Sequence, residues 1–129
     1  MPRALIIEDE LLVAMHIAQV AEEAGCEILG VAGDERRAVA IAREAKPDLI
    51  LADVELGNGG NGIAAVRQIE HQAEVPSIVI TGNAEPIDHG IRRLVAVIGK
   101  PFNEWKLKDS IRKAIASCPA WTCLAGTLF

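Results

Sequence analysis

Leu49-Ile50-Leu51-Ala52-Asp53 is an apolar run closed by a carboxylate. A run this short cannot make a stable helix by itself, and its aliphatic character suits a strand buried on both faces. Four further runs have the same form: Ala4 to Ile7, Ile28 to Ala32, Ser77 to Ile80 and Val95 to Ile98. The first leads into Glu8-Asp9 and the last into Lys100-Pro101. A parallel sheet brings the carboxyl ends of its strands to one edge, so Glu8, Asp9, Asp53 and Lys100 would meet there. Crowded carboxylates repel one another unless a cation or a proton relieves them. The cluster therefore reads as a divalent-metal site around a reactive aspartate.

Amphipathic stretches lie between the runs. Val13, Ile17, Val20 and Ala24 form one stripe, Ala38, Ile41, Ala42 and Ala45 a second, and Leu107, Ile111, Ala114 and Ile115 a third. Continuous apolar strands separated by such helices imply an α/β fold, a doubly wound (βα)5 arrangement with helices on both faces of a five-stranded parallel sheet. Gly25, Lys46-Pro47 and Pro119 sit where helices should end, and Val75-Pro76 precedes the fourth strand. Ala84 to Arg93, with Pro86 and Gly90 and only Ile87 and Ile91 as apolar positions, encodes a fourth helix weakly. The Gly-rich run Gly57 to Gly62 lacks the Lys-Ser/Thr of a P-loop and reads as a turn.

Composition narrows the function. A chain of 129 residues that is 50% hydrophobic fits one core, giving a domain over residues 1–118 and a short tail over 119–129 with no output domain. The formal charge of −5 argues against sequence-independent nucleic-acid binding. Cys26, Cys118 and Cys123 are odd in number and show no paired spacing, so reduced structural thiols are expected rather than disulfides or zinc. No stretch resembles a signal peptide or a membrane span, which points to a cytoplasmic protein with no membrane partner.

The set Glu8-Asp9, Asp53, Thr81 and Lys100-Pro101-Phe102 resembles the receiver domain of two-component response regulators (CheY-like), over about Ala4 to Ala116. The text around Asp53 is also similar to receivers that accompany sigma-factor-like domains in bacterial stress signalling. The resemblance implies a flavodoxin-like strand order 2-1-3-4-5 and a single-domain, phosphoacceptor signalling protein rather than an enzyme. Asp53 would take a phosphoryl group from a histidine kinase or phosphotransfer protein. Glu8, Asp9, Asp53 and the backbone carbonyl of Glu55 would hold Mg²⁺. Thr81 and Lys100 would contact the phosphoryl oxygens. Gly82 would leave room for that group, Pro101 resembles the family's cis proline, and Glu55 and Asn83 match positions that tune its lifetime. Output would pass to an unknown downstream protein, with a phosphorylation-dependent homodimer as an option.

Taken singly, these residues have blander readings. Asp53 could simply end a strand, Glu8-Asp9-Glu10 could complement a helix dipole, Thr81 could cap a helix and Lys100 could sit on an exposed loop. One departure from the family stands out: Val97 occupies the place of the usual aromatic switch, so Ala84 to Arg93 is expected to be the responsive element. His16, His71 and His89 read as solvated, and Trp105 and Trp121 as packing or surface anchors. The alternatives are a phosphate sink, a degenerate receiver that only binds partners, an aspartyl-phosphate phosphatase and a flavin-binding module. The phosphatase would want an aspartate where Glu55 stands, and Glu8-Asp9-Glu10 would repel a flavin phosphate.

Overall fold

Strand β1 (Arg3–Ile7) pairs with β2 (Glu27–Ala32) on one side and β3 (Leu49–Asp53) on the other, and the sheet continues through β4 (Ser77–Thr81) to β5 (Leu94–Gly99). The computed structural model describes residues 1–57, 60–82 and 90–116. All pairings are parallel and the order is β2-β1-β3-β4-β5, which is the arrangement expected from the sequence. Every strand extends the expected run by one residue at one or both ends.

Alternation along the strands divides the core in two. Ala4, Ile6, Leu49, Leu51, Ile78, Ile80 and Ile98 pack with Ala14, Ile17, Val20, Leu107 and Ile111, from α1 (Leu11–Glu23) and α4 (Glu104–Ala116). Leu5, Ile7, Ile50 and Ala52 pack on the other face with Ala38, Ala42, Ala65, Val66 and Ile69, from α2 (Glu35–Ala45) and α3 (Gly62–Glu70). Neighbouring side chains of a strand point to opposite faces, so β1 and β3 serve both layers. The inner strands β3 and β4 are buried throughout, whereas the edge strands β2 and β5 are mostly half-buried.

Local chemistry sets the ends of the helices. Asp34 accepts a hydrogen bond from the Arg37 amide at 2.8 Å to start α2. Lys46 ends that helix in the left-handed region at φ 52, and its amide returns to the Ala42 carbonyl. Gly25 turns the chain after α1 at φ 99, a conformation glycine adopts freely. The third helix has no long apolar stripe, only Ala65, Val66 and Ile69. Asn61, whose side chain accepts from the Ile63 amide at 2.8 Å, caps its start within the Gly-rich run.

Four helices are present among the described residues. Of the weakly encoded fourth helix expected over Ala84 to Arg93, residues 84–89 lie outside the described residues, as do Asn83, Cys118, Cys123 and the tail with Trp121. The far end of that stretch is well anchored. Glu70, buried at the end of α3, accepts from the Arg92 amide at 2.9 Å and the Arg93 amide at 3.2 Å. Among the described residues no helix is long and apolar enough to cross a membrane.

Candidate functional site

The carboxyl edge of the sheet collects the charged residues by extending the strand ladders one step. The Glu8 amide donates to the Ala32 carbonyl at 2.9 Å, and the Lys100 amide donates to the Thr81 carbonyl at 2.8 Å. Asp53 is the last residue of β3, paired with Ile80. The backbone therefore places these residues at one edge independently of their side-chain contacts. The Lys100 ammonium then donates to Glu8 Oε1 at 2.7 Å and to Asp53 Oδ2 at 3.0 Å. Side-chain exposure is 0% for Glu8, 9% for Asp53 and 23% for Lys100, so the triad faces little water.

Burial has electrostatic consequences. Desolvation pushes the Glu8 carboxyl up to about 7, with the hydrogen bond from Lys100 opposing the rise and the neighbouring Asp53 adding to it. For Lys100, burial works against the charged form, but the hydrogen bonds to Glu8 and Asp53 outweigh it and the ammonium is held above its usual pKa. One half-buried cation thus serves two carboxylates.

Asp9 is more exposed and stands at the rim. Its Oδ2 accepts from the Gly57 amide at 2.7 Å, and its own amide donates to Glu8 Oε2 at 3.1 Å. Glu8, Asp9 and Asp53 each offer an oxygen within 4.8 Å of the others. A compact set of hard, anionic oxygens is the donor chemistry that Mg²⁺ or Ca²⁺ takes, so the residues fit a divalent cation. The Glu55 amide leans on Asp53 Oδ1 at 3.3 Å, which puts the backbone after β3 against the same cluster.

Thr81 is buried at the end of β4, beside Asp53's strand. Apart from its chain neighbours, no described heavy atom lies within 4 Å of where a Cβ on Gly82 would sit. The Lys100-Pro101 bond is cis. Asn83, named with these residues from the sequence, lies outside the described residues.

The chain belongs to the response regulator receiver domain family, which is matched over residues 4–112. The regulator PhyR of Methylorubrum extorquens, named as phyllosphere-induced, is 42% identical over 113 residues, covering 86% of this chain and 42% of PhyR. The solution structure of the receiver domain of Erythrobacter litoralis PhyR superposes with a TM-score of 0.83 at 34% identity, covering 92% of each chain. The crystal structure of Bartonella quintana PhyR, described as an anti-anti-sigma factor, gives 0.76 at 33% identity over 98% of this chain and 51% of that one. The chain thus spans about half the length of the Methylorubrum extorquens and Bartonella quintana PhyR proteins. The likeness to stress-regulator receivers noted from the sequence agrees with these matches, and two-component signalling in bacteria is the family's setting.

Several contacts of the receiver site were invisible in the sequence. Glu35 Oε1 accepts from the Asn61 amide at 2.7 Å, which ties α2 to the loop after β3. A Cβ on Gly62 would lie 1.7 Å from the Asp53 carbonyl oxygen, so α3 can pack under Asp53 only through a glycine. The glycine run was the available sign, read only as a turn. His16 is partly exposed as expected, yet it is not merely solvated. Its Nε2 lies 2.5 Å from Glu104 Oε1 and its ring packs on Phe102 with centroids 4.7 Å apart. Trp105 is exposed on α4.

Proposed function

We propose that Asp53 is a phosphoacceptor and that this receiver signals by changing which protein surface it presents. The carrying observation is the Asp53 carboxylate, nearly buried at a strand end, with the Lys100 ammonium 3.0 Å away and two further carboxylates within 4.8 Å. In this reading an Asp53 oxygen attacks the phosphorus of a phosphohistidine or small acyl phosphate, and the donor leaves with its bonding electron pair. Glu8, Asp9, Asp53 and the Glu55 carbonyl would hold Mg²⁺, which supplies charge neutralisation for the phosphoryl oxygens. Lys100 pairs with one of those oxygens and the Thr81 hydroxyl donates to another, and the lack of any described non-neighbour heavy atom within 4 Å of a Cβ on Gly82 supports entry of the group.

The phosphodonor partner would be a histidine kinase or phosphotransfer protein. Exposed Leu11, Leu12 and Met15 on α1, with Leu12 lining a groove shared with Lys100 and Pro101, support a protein partner, because large exposed apolar side chains beside a site mark interaction surfaces. The chain would act as a switch for a downstream protein, with residues 1–118 as the receiver unit, and not as a turnover enzyme.

Intact-mass measurement after incubation with acetyl phosphate tests the reading. One phosphoryl addition is expected with Mg²⁺ and none with chelator. Labelling that ignores chelation, or that persists equally in Asp53→Asn, would refute it.

A further inference from the structure

We infer that Glu35 is a positioning residue for the metal site, acting through the loop between β3 and α3. The inference rests on the reading that Glu8, Asp9, Asp53 and the Glu55 carbonyl hold a divalent cation. Glu35 belongs to none of these groups. It is the first residue of α2, fixed by the Asp34 cap behind it, and it reaches sideways to the Asn61 amide at 2.7 Å.

Asn61 is the point on which the loop turns. It forms an antiparallel bridge with Glu55, its side chain accepts from the Ile63 amide at 2.8 Å, and its carbonyl accepts from the Ala65 amide at 3.2 Å. Beside that bridge the Leu56 amide donates to the Gly60 carbonyl at 3.1 Å and the Gly62 amide to the Val54 carbonyl at 3.0 Å. Where Asn61 sits therefore decides where Glu55 sits. A Cβ on Gly60 would lie 3.6 Å from Glu35 Oε1, so the carboxylate also lies alongside the loop backbone. Earlier in the loop Asp9 holds the Gly57 amide at 2.7 Å. The loop is thus gripped by two carboxylates, one within the proposed ligand set and one outside it.

A negative charge near the site would raise cation affinity by simple attraction, so position and charge must be separated. Glutamine keeps the accepting oxygen and removes the charge, whereas alanine removes both. Calorimetric Mg²⁺ titration of the full chain, with thermal unfolding in EDTA, compares wild type, Glu35→Gln and Glu35→Ala. Affinity within about 2-fold of wild type is expected for Glu35→Gln. Glu35→Ala should bind about 3- to 10-fold more weakly, at most the ratio that one net hydrogen bond corresponds to, while still unfolding in EDTA as a single cooperative transition. Wild-type affinity in Glu35→Ala would overturn the inference. Equal weakening of both variants would assign the effect to charge and overturn it, and loss of the fold in Glu35→Ala would make Glu35 a general structural residue. Absence of Mg²⁺ binding by wild type would instead overturn the metal reading itself and this inference with it.

Discussion

At the level of single residues, Glu8 is a carboxyl buried beside a second carboxylate. Its carboxyl rises from the ordinary 4.5 to about 7 because burial disfavours the charged form. Between these values the folded chain binds more protons than the unfolded chain, so raising the pH costs stability. The contribution is complete below about pH 4.5 and is lost as the pH passes 7, a difference of roughly 3 kcal/mol at most. Urea unfolding in EDTA from pH 5 to 8 should show this decline in wild type and a flatter profile in Glu8→Gln. Equal slopes would refute the assignment. Gly57 offers a second test, since a Cβ there would lie 2.4 Å from Asp9 Oδ2. Gly57→Ala should push Asp9 aside and weaken Mg²⁺ binding, and unchanged affinity in titration would show that the loop yields instead.

Elements differ in how openly the sequence declared them. The strands were legible because each is a bounded apolar run, and α1, α2 and α4 because their stripes repeat at helical spacing. The helix α3 was not, since its buried residues Gly62, Ala65, Val66 and Ile69 are mostly small and follow a glycine-rich loop. Its terminal Glu70 was equally hidden. A glutamate at a helix end looks solvated in a sequence, but here tertiary contact buries it against the Arg92 and Arg93 amides ahead of β5. Glu70→Ala leaves those donors without this acceptor and should lower unfolding free energy by about 1 to 3 kcal/mol, with Glu70→Gln milder. A urea midpoint for Glu70→Ala equal to that of wild type would contradict the role. Because Glu70 holds only the end of the stretch expected to respond, hydrogen exchange at Arg92 and Arg93 should be slow before phosphorylation.

For the whole molecule, the site was readable because topology does most of the work. Parallel strands deliver Glu8, Asp53, Thr81 and Lys100 to one edge, and the order of these residues along the chain is enough to anticipate their meeting. What escaped the sequence comes from loops and helix ends, where one residue such as Glu35 or Gly62 acts across a gap that no periodicity reports. The acidic edge and the exposed apolar residues of α1 are the features on which the proposed phosphoacceptor reading rests. Borohydride reduction after reaction with acetyl phosphate, followed by peptide mass mapping, tests that account most directly, because it converts an aspartyl phosphate to homoserine where the bond formed. The account predicts homoserine at position 53 alone, dependent on Mg²⁺. Reduction at another carboxylate, or at none while wild type carries the phosphoryl mass, would contradict it.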